Sequence, residues 1–210
     1  MIDDLPNLLI AWGIQLTGVL SPGPAVAMLL GISATRGRAP ALWTCVGIGM
    51  GAMLIAVLTV FGFATILAEW RAAMVAVKII GAGYLAWLAW GAFRKALSPP
   101  PPPSVATTEL AGGTLSRIGA GFLFQIGNPK AIFFWIAVAA VGSLQTISAA
   151  SVALFLAGAF TISFLGHGGW ALVLSSAPFR ALYTRARRGV EATLGVFFAF
   201  ASFKILTTRT

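Results

Sequence analysis

Charge is what this chain lacks most. Only 9% of its 210 residues are Asp, Glu, Lys or Arg, against 59% hydrophobic. A soluble domain is about one quarter charged, and that charge coats its surface. Fourteen Lys and Arg with five Asp and Glu cannot coat a chain of this size in water. With a mean hydropathy of +0.93, the apolar surface must face lipid, so the composition reads as an integral membrane protein. Acids are scarcer still: Asp3, Asp4, Glu69, Glu109 and Glu191 are all there are. One cysteine, Cys45, excludes an intramolecular disulfide, a C-x-x-C redox pair and a thiolate metal site; inside an apolar run it reads as a small buried hydrophobe. One histidine, His167, leaves too few ligands for a metal centre. No cofactor motif is present. A net charge of +9 would suggest nucleic acid in a soluble protein. Here the bases cluster in short stretches between apolar runs, the pattern of cytoplasmic loops, and nucleic-acid binding is not expected. The start is not basic, as a cleaved signal peptide requires, so the N-terminus is expected to be retained.

What is present is apolar sequence in lengths that cross a bilayer, for which a helix needs roughly 20 residues. The expected spans are Leu5–Gly31, Ala41–Ala68, Ala73–Phe93, Ile118–Val141, Ser148–Ser176 and Val190–Leu206. Pro99 to Pro103 cannot continue a helix. The stretch 98–116 is therefore read as a cytoplasmic linker between a first three-helix repeat, 1–97, and a second, 117–210. Alternate loops differ in basic residues. One set holds Arg36, Arg38, Arg94, Lys95, Arg117, Arg180, Arg185, Arg187 and Arg188; the other holds at most Arg71, Lys78, Lys204 and Arg209. The richer set should be cytoplasmic, which puts both termini outside. Three spans per half is an odd number, so the second half must be inserted upside down. The expected fold is all-α, six transmembrane helices in two inverted three-helix repeats, the plan of secondary transporters.

Each half opens with a broken helix. Ser21-Pro22-Gly23-Pro24 interrupts the first span and Asn128-Pro129-Lys130 the fourth. Proline inside a helix removes a donor and clashes with the preceding turn. In lipid such a break persists only where protein or a water-filled cavity satisfies the freed groups. Ser21 and Asn128 suit an N-cap, each followed by a proline suited to the first helical position. The expectation is a fresh half-helix after each break, its N–H groups pointing inward near the midplane, where they favour an anion such as a carboxylate. Lys130 lies about 11 to 12 residues, or roughly 17 Å, from either end of its span, too deep to snorkel. Stranding it there costs at least about 3 kcal/mol. No acid of the chain is an obvious partner, so a substrate carboxylate would fit; otherwise Lys130 is deprotonated or pairs with backbone carbonyls. Gln15 and Gln125, before the breaks, are candidate cavity linings or interhelical bonders. Gly47 and Gly51 form a G-x-x-x-G, whose plainer role is close helix packing and whose other role is a place in the binding site. His167 is either a proton relay or a structural hydrogen bonder. Glu191 is the second proton-coupling candidate, though its place at a span end reads as interfacial. The seven tryptophans suit interface belts.

Pro22-Gly23-Pro24 in span one, Asn128-Pro129-Lys130-Ala131 in span four and a basic loop before span six resemble the lysine/threonine exporter family (LysE/RhtB type). The resemblance covers essentially the whole chain. It implies bacterial inner-membrane export of amino acids, driven by the proton gradient through alternating access. Members exporting basic amino acids tend to carry an acid in span two and another after the N-P motif. The corresponding stretches here, Gly51-Ala52-Met53 and Ile132-Phe133-Phe134, have none, which points to a neutral or homoserine-like substrate. The implied partners are an amino acid, protons and the lipid bilayer; self-association is left open. A metal-cation exporter of the same superfamily is the alternative. An intramembrane serine protease is a weaker rival, because no G-x-S-G accompanies His167.

Overall fold

The computed structural model describes residues 4–21, 23–63, 71–98, 112–141 and 147–207. Among them every regular element is helical: α1 (Leu5–Leu20), α2 (Pro24–Arg36), α3 (Arg38–Leu58), α4 (Arg71–Leu97), α5 (Thr114–Ile126), α6 (Pro129–Val141), α7 (Ala149–Leu174) and α8 (Ala177–Thr207). A π turn, Thr59–Phe63, extends α3. Pro22, Trp70, Pro99 to Pro103 and the end of the second expected span lie outside the described residues.

Both expected breaks are present. The α1–α2 pair bends by 53° and the α5–α6 pair by 58°. Two helices, Arg38–Phe61 and Ala149–Leu174, are each long and apolar enough to cross a membrane, and counting each bent pair as one span gives four. The remaining two long helices, α4 and α8, carry the charges that dilute their hydropathy, including Lys78, Arg94 and Lys95 on α4. The basic stretch before the sixth span is not a loop. Helix α8 begins at Ala177 and runs 31 residues through Arg180–Arg188. Pro178 sits in its first turn, where proline is tolerated, and Gly189 alone does not stop it. Between α2 and α3 the link is one residue: Gly37, at φ 86°, a left-handed conformation that a side chain would strain.

Small residues set the closest contacts. A Cβ on Gly47 of α3 would strike the Ile118 carbonyl of α5, and one on Gly121 of α5 would strike the Thr44 carbonyl of α3. The two backbones therefore touch. Helix α4 lies along α8, with Leu85, Ala89 and Ala92 packed around Leu194 and Phe198 and the Ser202 hydroxyl donating to the Ala82 carbonyl at 2.8 Å. Both pieces of the first broken helix rest on α7, while α5 of the second rests on α3. Each broken helix thus packs on a long helix from the other part of the chain. The outer packing is not matched on the other side: α1 packs on α6, and α6 on α4, whereas α2 has no such interface with α5 or α8 among the described residues.

Candidate functional site

The two breaks meet. Helix α1 ends at Leu20 with Ser21 extended behind it. Ser21 is thus the C-cap of α1 and not, as the sequence suggests, the N-cap of α2. That position falls to Gly23, which has no side chain to offer, so the first N–H groups of α2 are uncapped. Such groups have no partner within their own helix. The second break is built differently. Asn128 caps α6 itself, its Oδ1 accepting from the Lys130 N–H at 3.1 Å and its carbonyl from Ile132 at 3.1 Å. One half-helix is satisfied by its own chain; the other is left with donors to spare.

Lys130 joins the breaks. Its Nζ donates to the Ser21 carbonyl at 2.7 Å, and it lies so close to Gly23 that a Cβ there would sit 3.1 Å from Nζ. The partner is a backbone carbonyl, the carbonyl at the end of α1 that the break has freed. A carbonyl accepts this bond without neutralising a charge on Nζ.

Around this bridge lies a partly open cleft, lined from both broken helices and from α3 and α7. Gln15, Ser21, Gly23, Gln125, Asn128, Lys130 and His167 of the expected residues line it; Pro24, at the first position of α2, borders it. Gly47 and Gly51 are not in the lining, since they face α5. Glu191 is elsewhere too: it is 2% exposed on α8, where Lys95, Arg187 and Lys130 are the cations whose charge reaches it. It is therefore buried in the helix bundle and not at an interface with water.

Sequence reasoning missed the apolar part of the lining and one hydroxyl. Ala52, Phe134, Trp135 and Val138 supply the apolar stretch, and Ser163 the hydroxyl. Ser163 is legible afterwards from its spacing, one helical turn before His167 on the same face. His167 Nδ1 lies 2.9 Å from the Ser163 carbonyl. A carbonyl only accepts, so Nδ1 carries the proton and Nε2 keeps its lone pair. The same bond takes Nδ1 away from the Ser163 hydroxyl, 3.4 Å off, so that nitrogen is not a base for a serine nucleophile. No carboxylate lines the cleft among the described residues.

The likenesses to known proteins run the length of the chain. The uncharacterized membrane protein YahN of Escherichia coli (strain K12) is 23% identical, covering 99% of this chain and 94% of its own. An uncharacterized membrane protein of Pseudomonas aeruginosa is 30% identical over 91% of this chain and 90% of its own. The threonine efflux protein of Escherichia coli (strain K12) is 24% identical, with 93% and 95% covered. No solved structure shows a significant match. A family model described as LysE type translocator matches residues 16–209, a stretch that takes in both breaks and the cleft between them, and the chain therefore belongs to the LysE type translocator family.

Proposed function

We propose that this protein exports neutral amino acids from the bacterial cytoplasm, by proton antiport and alternating access of the cleft. The observation that carries the reading is the Lys130 bridge, an ammonium 2.7 Å from the carbonyl at the end of α1 and beside the uncapped start of α2. A carboxylate placed there gains an ammonium and helix N-terminal N–H groups together. It takes Lys130 from Ser21, and so loosens the tie between the two broken helices at the moment of binding. The six-span, inverted-repeat reading draws support from the reciprocal packing of each broken helix on the other half. With the base-rich ends cytoplasmic, α2 and α5 are the inner half-helices. The side on which they stand apart is then the loading side, as export requires.

The substrate class follows from the lining. With no carboxylate in the cleft among the described residues, a cationic side chain would be buried unpaired, at a cost of several kcal/mol. The apolar wall suits a small neutral side chain. Efflux of threonine, named for the Escherichia coli relative, is compatible with it. His167, with Nε2 free to accept, is the proton carrier in this reading; Glu191 is the alternative, outside the cleft. For the metal-cation reading, no three His, Cys, Asp or Glu side chains gather among the described residues.

The test is Lys130→Ala, assayed in everted vesicles energised with a proton gradient against all twenty amino acids. Loss of a charge-assisted hydrogen bond, worth roughly 1.5–3 kcal/mol, lowers affinity by about ten- to a hundredfold while the protein stays inserted. Lys130→Arg restores little, because a planar fork does not replace a compact ammonium. Wild-type export by Lys130→Ala would sink the assignment.

A further inference from the structure

Gln15 is 6% exposed and lines the cleft from α1. Its Nε2 donates to the Ala159 carbonyl of α7 at 2.7 Å. A carbonyl accepts and never donates, so this bond fixes which way the amide faces. Oε1 is turned away from Ala159, and no group among the described residues donates to it. A buried acceptor without a donor is a standing cost of about 1–3 kcal/mol. The amide is thus held with that acceptor buried and unsatisfied at the edge of the cleft.

We infer that Gln15 Oε1 receives the α-ammonium of the substrate, so that the cleft reads an amino acid at both ends. The inference rests on the proposed seating of the carboxylate at Lys130. The polar groups are sorted to match. Donors, namely the Lys130 ammonium and the open start of α2, are gathered at the break. The acceptor belongs to Gln15, further back along α1, and His167 of α7 lines the same cleft. From Gln15 to Ser21 is six residue steps along α1, about 9 Å of rise. An α-amino acid with a hydrogen bond of about 3 Å at each end spans a similar length. The two ends are of opposite kind and cannot be exchanged without leaving both charges unpaired. A free amine therefore becomes a condition of transport, and the 2-hydroxy acid of the same side chain is discriminated against although it offers the same carboxylate.

The experiment compares the best-transported of the twenty amino acids with its own 2-hydroxy acid as competitor, in the everted vesicles already described. The wild type should favour the amino acid by about ten- to a hundredfold. Gln15→Met should abolish that preference, leaving both compounds weakly and almost equally bound. Gln15→Glu, which keeps an acceptor at the site, should retain it. Lys130→Ala should weaken both compounds alike and preserve their ratio. A Gln15→Met protein that exports and still prefers the amine overturns this inference alone and leaves the carboxylate site standing. Should Gln15→Met fail to insert, Gln15→Glu decides: loss of the preference by that variant overturns the inference. No export of any of the twenty by the wild type overturns both readings.

Discussion

Gly23 has no side chain, and Lys130 occupies the space that one would fill. The added Cβ of Gly23→Ala would stand 3.1 Å from Nζ and 3.3 Å from Cδ, close enough that the lysine must move by a few tenths of an ångström. The backbone does not object, since φ at Gly23 is −163°, an extended value open to any residue. Gly23→Ala is thus expected to fold normally and to lose affinity by less than about tenfold, because Nζ is displaced from the Ser21 carbonyl but not removed. An effect as large as that of Lys130→Ala, in the same transport assay, would mean that Gly23 acts on something other than the lysine. At this scale depth and the shortage of acids single out Lys130 in the sequence, and the structure puts it in the cleft lining against the Ser21 carbonyl. For Glu191 the sequence could not show the burial, because the sixth span was expected to begin at Val190. With α8 starting at Ala177, Glu191 lies well inside a helix and faces its neighbours.

At the level of elements, the tightest contact is where α3 crosses α5. Gly121 of α5 admits the Thr44 carbonyl and Gly47 of α3 the Ile118 carbonyl, and neither backbone can step aside as a side chain could. Gly121→Leu is expected to cost 3 kcal/mol or more, on the order of the upper end for overpacked cores, and to appear as lost expression and a lower Tm in detergent. A second tie joins α1 to α7 at their shared end. Asp4 Oδ2 accepts from the Ser151 hydroxyl at 2.6 Å and the Ser148 N–H at 3.2 Å, and these two bonds hold its carboxyl below the ordinary 3.8. A depressed value means that the stabilisation is complete above the ordinary value and is lost as pH falls through the lowered one. Asp4→Asn should therefore lower Tm by a constant amount from neutral pH to about pH 5, and the gap to wild type should close on further acidification. A gap that widened below pH 5 would contradict this sign. Period and turn chemistry made the helices and breaks legible in the sequence; the cap at Gly23 was not, because Ser21 has the better intrinsic preference and only the bend at the break shows where α2 begins.

For the whole molecule, orientation decides what the cleft does. The proposal that the base-rich ends are cytoplasmic is checked by placing a cysteine in the stretch 104–113 of a Cys45→Ser background. An impermeant thiol reagent should leave it unlabelled in intact cells and label it in everted vesicles. Ready labelling in intact cells would reverse the orientation, and the parted side of α2 and α5 would then face outward. The apolar spans, the helix breaks, the isolated lysine and the family resemblance were all legible in the chain itself. They follow from local properties: hydropathy, proline geometry and the price of a charge in hydrocarbon. What only the tertiary structure decided is which groups share the cleft. Lys130 Nζ meets Ser21 across 109 positions of sequence and Gln15 meets Ala159 across 144, while Gly47 and Gly51 turn away to pack on α5. Those pairings depend on the rotation of each helix about its own axis, and that is fixed by how side chains of separate helices interlock, which no local pattern in one helix contains.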